Sequence, residues 1–98
     1  MLYVIATFTI KPDSLEHVME AAMPCIIATR AEAGCVSYEL NQNLTDKNEL
    51  VFVERWENRS ALDAHSKTPH IAAWRDAGAK YIVARNIEII ENGAVETL

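Results

Sequence analysis

Glycine is scarce, at three residues in 98. None of the motifs G-x-G-x-x-G, G-x-x-x-x-G-K-[S/T] or G-x-S-x-G can be written along the chain. Dinucleotide binding, P-loop nucleotide chemistry and α/β-hydrolase chemistry are therefore set aside. Cysteine is equally sparse. Cys25 and Cys35 form no C-x-x-C pair and are too few for a disulfide framework, so they read as reduced, partly buried thiols of a cytoplasmic protein. Cations are outnumbered, nine Lys and Arg against 14 Asp and Glu, and they are scattered. An acidic surface without a basic stripe repels phosphate backbones and anionic lipid, which argues against nucleic-acid and membrane partners. No run approaches the roughly 20 apolar residues of a membrane-crossing helix. The segment Leu2–Ile10 is apolar but short, lacks a basic leader and runs into Lys11-Pro12, so it does not read as a signal peptide.

What is present is ordinary globular composition, half hydrophobic and about a quarter charged. One domain over residues 1–98 is expected. A domain this small buries only about 60–65% of its unfolded surface, which favours added burial through self-association. Leu2–Ile10 is rich in β-branched and aromatic residues and reads as a strand ended by Lys11-Pro12-Asp13. Asp13 with Glu16 resembles a capping box, and Leu15, Val18, Met19, Ala22, Ile26 and Ala33 then share one helical stripe. Pro24 inside that stripe predicts a bend, and Gly34 suits a left-handed helix cap. Cys35 to about Gln42 and Glu49–Trp56 read as strands of a hairpin joined through the polar turn Asn43–Asn48. Asn58 or Ser60 can cap a short helix, and Thr68-Pro69 restarts it with Thr as cap and Pro in the first turn. The end of this second helical segment is open between Gly78 and Ile82, and a last strand covers about Arg85–Glu91. The order β-α-β-β-α-β predicts an α+β, ferredoxin-like fold: a four-stranded antiparallel sheet with helices on one face. Its other, apolar-bearing face suits a second copy, giving a dimeric α+β barrel.

The chemistry concentrates between Glu54 and Ile71. Phe52, Glu54 and Trp56 alternate onto one side of their strand, and His65 and His70 flank the helix break. Imidazoles move protons near neutral pH, and a buried carboxylate can orient one and stabilise its cation. Trp56, Trp74, Tyr38 and Phe52 can wall a flat aromatic substrate, and Asn58 or Tyr38 can donate to a phenolate. Each residue also has a structural reading: helix cap for the histidines, ion pair for Glu54, core for the tryptophans and Tyr38. A metal held by His65, His70 and Glu54 is not expected, because two histidines five apart across a Pro-broken turn do not form the i, i+4 face of a zinc helix.

Glu54-x-Trp56, Asn58, Ala61-Leu62, His65 and Thr68-Pro69-His70-Ile71, with Lys11-Pro12 and Arg30-x-Glu32-x-Gly34-Cys35-x-x-Tyr38, make the chain resemble the antibiotic biosynthesis monooxygenase-like (ABM) domain family. The resemblance implies a homodimer with a cavity in each subunit between sheet and helices. It is nearest to the small quinol monooxygenases, which oxidise electron-rich dihydroxyaromatics or related anthrones with dioxygen and use no metal, flavin or nicotinamide. On that implication His65 or His70 is the base, Glu54 orients it, and Trp56, Trp74, Tyr38, Phe52 and Asn58 hold the substrate. Two other functions stay open: an isomerase of a small phosphorylated hydroxyketone acting through an enediol, and a non-catalytic small-molecule-binding dimer.

Overall fold

Alternation of apolar and other residues puts Leu2, Val4, Ala6, Phe8 and Ile10 on one face of the first strand, and all five are buried. In the computed structural model, which describes residues 1–98, this strand β1 (Leu2–Ile10) lies at the middle of a four-stranded antiparallel sheet. The other strands are β2 (Cys35–Asn43), β3 (Asp46–Trp56) and β4 (Ile82–Ile90), in the order β2-β3-β1-β4. Pairing fixes which side chains share the inner face. Tyr38, Glu54, Val4 and Ile89 form one row across the sheet, and Leu40, Phe52, Ala6 and Ile87 the next. The ferredoxin-like α+β order expected from the sequence is the one observed, with the second helical segment split in two.

Helix α1 (Leu15–Arg30) buries Val18, Ala22, Cys25, Ile26 and Thr29, a spacing of three and four that keeps one stripe on the sheet. Met19, read as part of that stripe, is 47% exposed. The helix continues through Pro24 because that residue lies on the exposed side, where the carbonyl it leaves unpaired meets water. The expected Asp13 cap is replaced. Asp13 takes a φ of 62°, Ser14 is the N-cap residue, and the Ser14 hydroxyl donates to the Lys11 carbonyl at 2.6 Å. The β2–β3 turn is tighter than read. Asn43 and Asp46 already belong to strands, and the Asn43 Oδ1 accepts from the Thr45 N–H at 2.9 Å.

Helix α2 (Arg59–His65) starts at Asn58, whose Oδ1 accepts from the Ala61 N–H at 2.9 Å. Helix α3 (Pro69–Gly78) starts at Thr68, whose hydroxyl accepts from the Ile71 N–H. A 3₁₀ turn (Ala79–Tyr81) then leads into β4, which begins three residues earlier than the apolar pattern suggested. The helices cover β1, β3 and β2 but leave β4 bare: on its inner face Ile87 is 50% and Ile89 43% exposed. No helix is long and apolar enough to cross a membrane.

Candidate active site

Gly34 sets the geometry of the site. Its φ is +82°, and a Cβ there would lie 2.5 Å from the Ala61 Cβ. Glycine thus lets α2 rest directly on the turn between α1 and β2. Glu32 lies in that turn, and His65 is one helical turn beyond Ala61. The close approach therefore carries the His65 imidazole to the Glu32 carboxylate, with Nδ1 2.7 Å from Oε2. The same Oε2 is 2.8 Å from Nε2 of His70, in the first turn of α3. A carboxylate oxygen only accepts, so both imidazole nitrogens donate to it.

The other edge of His65 faces the cavity between the sheet and the helices. Its ring lies 4.8 Å from Trp56 and 5.5 Å from Tyr38, centre to centre, and the residue is 4% exposed. Its hydrogen bond runs through Nδ1, and no buried side-chain nitrogen or oxygen lacks a partner. Nε2 accordingly reaches the cavity that His65 lines. That cavity, about 610 Å³, lies between the inner face of the sheet and α2–α3, and 14 of its 21 lining residues are hydrophobic. Its volume and apolar character suit a small organic ligand.

Of the residues singled out in the sequence, Glu54, Tyr38, Phe52, Trp74 and His65 line the cavity together. Phe52 and Trp74 meet edge to face, with centroids 5.8 Å apart. The others sit elsewhere. Trp56 is fully buried beside the site and donates its Nε1–H to Glu54 Oε1 at 3.0 Å, so it is a core residue and not a wall. Asn58 is exposed, with its Oδ1 occupied by the α2 cap. His70 does not line the cavity; it is bonded to Glu32, and its ring lies 6.2 Å from that of His65. The carboxylate paired to imidazole is Glu32 and not Glu54. Only the motif Arg30-x-Glu32-x-Gly34 marked Glu32 in the sequence, since nothing local to it shows that α2 folds back onto it.

Burial decides the protonation of the cavity groups. Glu54 is pushed from 4.5 up to about 7, mainly by desolvation, with the Glu32 charge adding and the Trp56 hydrogen bond opposing. Burial, reinforced by Glu54, drives the Tyr38 hydroxyl far above its ordinary range, so it remains a donor. Burial also raises both Cys25 and Cys35, which leaves them poor nucleophiles. Three arginines reach the cavity. Arg59 is paired with Asp63 and Glu91, whereas Arg75 and Arg85 have no acidic partner.

The family model for antibiotic biosynthesis monooxygenase matches residues 1–77, a span holding Glu32, Glu54, His65, His70 and Trp74. The chain belongs to the antibiotic biosynthesis monooxygenase family. Among its relatives, Rv0793 of Mycobacterium tuberculosis, named "putative monooxygenase", is 42% identical over 74% of this chain and 70% of its own. YgiN of Escherichia coli, named "probable quinol monooxygenase", is 26% identical over 95% of this chain and 99% of its own. The "uncharacterized protein" sll1783 of Synechocystis is 36% identical over 70% of this chain, which spans 47% of that protein. The solved structure of a family member from Nitrosomonas europaea superposes with a TM-score of 0.90, at 26% identity, covering 98% of this chain and 100% of that one. The structure of Rv0793 superposes with a TM-score of 0.88, at 30% identity, covering 98% of each chain. The names of Rv0793 and YgiN agree with the description of the family.

Proposed function

We propose that this protein is a cofactor-independent monooxygenase of quinols or related dihydroxyaromatics and anthrones, with His65 as its base. The observation that carries the reading is the Glu32–His65 pair. One imidazole nitrogen is held by a carboxylate at 2.7 Å while the other opens on an apolar cavity. That arrangement fixes the tautomer, makes Nε2 the proton acceptor and stabilises the imidazolium it becomes. Tyr38, which stays protonated, supplies a donor for the phenolate. Phe52 and Trp74 exclude water.

Ground-state dioxygen is a triplet and reacts slowly with closed-shell molecules. A dry aromatic anion is reducing enough to give it one electron. Recombination forms a carbon–oxygen bond, and cleavage of the resulting peroxide leaves one oxygen atom on the ring and the other in water. A dihydroxybenzene and O₂ thus become a hydroxyquinone and water, with all electrons drawn from the substrate. Glu54, with a pKa near neutrality, is suited to take up the ring proton or return one to the departing oxygen. Residues 1–98 act as one domain that pairs with a second copy through the outer sheet face, where Val53 and Ile90 are exposed. Light scattering reading a monomer at micromolar concentration would remove the dimer.

The decisive experiment is oxygen uptake by metal-free protein with menadiol or a simple anthrone, against autoxidation without enzyme. Uptake well above that control, unaffected by chelator and lost in His65→Ala, is the expected result. Uptake at the control rate refutes the oxygenase. A second reading is favoured by unpaired Arg75 and Arg85 at the cavity, which suit an anionic ligand such as a phosphorylated hydroxyketone. Isomerisation through an enediol needs no oxygen, so turnover of such a substrate under strict anaerobiosis would establish it instead.

A further inference from the structure

We propose that Glu32, His65 and His70 form a binding site for a divalent transition-metal ion of the Zn²⁺ class, and that its occupation withdraws His65 from catalysis. The three residues come from three separate elements: the turn after α1, the end of α2 and the start of α3. One donor atom from each, Oε2, Nδ1 and Nε2, lies within 4.8 Å of the other two. The spacing of His65, His70 and Glu54 along the sequence predicts no metal site. The fold supplies a different carboxylate and brings the two imidazoles to it from either side.

The donor set is two imidazoles and a carboxylate, which suits Zn²⁺ and its neighbours and leaves a fourth position for water. Bonds of about 2.0–2.1 Å in a tetrahedron place donor atoms roughly 3.3 Å apart. The present separations from Oε2 are 2.7 and 2.8 Å, so those two edges have to open by about half an ångström while the edge between the two nitrogens, within 4.8 Å, settles near about 3.3 Å. Glu32 carries two flexible side-chain torsions beyond Cβ and leads out of a turn, so it can yield that distance. Access exists as well: the Glu32 side chain is 14% and the His70 side chain 23% exposed. The N-caps at Asn58 and Thr68 hold the two histidine-bearing helices in place, so most of the ordering is done before an ion arrives.

The consequence for His65 follows from imidazole chemistry. Without metal, Nδ1 carries the hydrogen donated to Glu32 and Nε2 has the free lone pair. A metal ion on Nδ1 takes that position, and the single N–H of the neutral ring moves to Nε2. Nε2 then donates and can no longer accept a proton. The inhibition rests on the proposed role of His65 as base, whereas the metal site does not.

Co²⁺ titration of the metal-free protein tests the site directly. The expected result is a visible d–d absorption band of tetrahedral or five-coordinate intensity that saturates at one ion per chain. Zn²⁺ should bleach the band. His70→Ala and Glu32→Gln should each weaken binding at least about tenfold. His70→Gln serves as a second variant should His70→Ala fold poorly. His17→Ala, which removes the one histidine outside the cluster, should leave the band unchanged. Absence of a saturable band, or binding indifferent to the His70 and Glu32 variants, or loss in His17→Ala, overturns the site. If the band appears as described and Zn²⁺ leaves oxygen uptake unaltered, the metal site stands and the role of His65 as base falls.

Discussion

Glu54 titrating near pH 7 in the fold but near 4.5 when exposed makes stability depend on pH. Between those two values the folded protein retains a proton that the unfolded chain releases. Stability contributed by the neutral carboxyl is therefore fully present below about pH 4.5 and is lost as pH rises through about 7. At roughly 1.4 kcal/mol per pH unit of displacement, the loss from pH 4.5 to 8 is about 3 kcal/mol. The residue is 6% exposed, so little solvent screening reduces that figure. Glu54→Gln keeps the acceptor for Trp56 Nε1 and removes the charge. Urea unfolding of both proteins at pH 5 and pH 8 isolates the effect, because titrating groups that do not interact with Glu54 cancel in the difference. We expect Glu54→Gln to be more stable than the wild type at pH 8 by about 2–3 kcal/mol and close to it at pH 5. An equal pH dependence in the two proteins would show that Glu54 is charged and well solvated in the fold, and the burial argument would fail.

His65→Ala should lower kcat by about 10²–10⁴-fold, whereas His70→Ala, which removes a ring that neighbours Glu32 and His65 but does not line the cavity, should lose less than about tenfold; steady-state oxygen uptake separates them. Gly34→Ala places a methyl 2.5 Å from Ala61 Cβ in a left-handed backbone, so it should destabilise by at least about 1–3 kcal/mol and also displace His65; thermal melting with parallel kinetics would find both defects together. Asn58→Ala should cost about 1 kcal/mol through the lost cap with KM unchanged, and a raised KM would return Asn58 to the substrate site.

Some of the fold was legible because it depends on local pattern. Alternation along Leu2–Ile10 and Phe52–Trp56 named the inward faces, and the caps Asn58 and Thr68 with Pro69 marked both short helices. Those signals act within a few residues of themselves. Boundaries were less legible where two effects compete. The polar stretch Asn43–Asn48 looks like a loop, yet pairing between neighbouring strands draws its ends into the sheet. Ser14 displaced Asp13 as the cap residue because Asp13 adopts a left-handed turn.

The chain by itself determined its acidic, glycine-poor character, the βαββαβ order and the pool of side chains from which a site can be built. Only the tertiary structure decided their partners. Glu54 and the histidines are close in sequence, yet Glu54 turns to Trp56, and Glu32, 33 residues before His65, takes the imidazole. The reason is a steric one: Gly34 has no side chain, so α2 settles onto the α1–β2 turn and the carboxylate is already there. Burial completed the work, since the same packing that removes water from Glu54 raises its pKa, and no spacing along a sequence measures the water a side chain will lose.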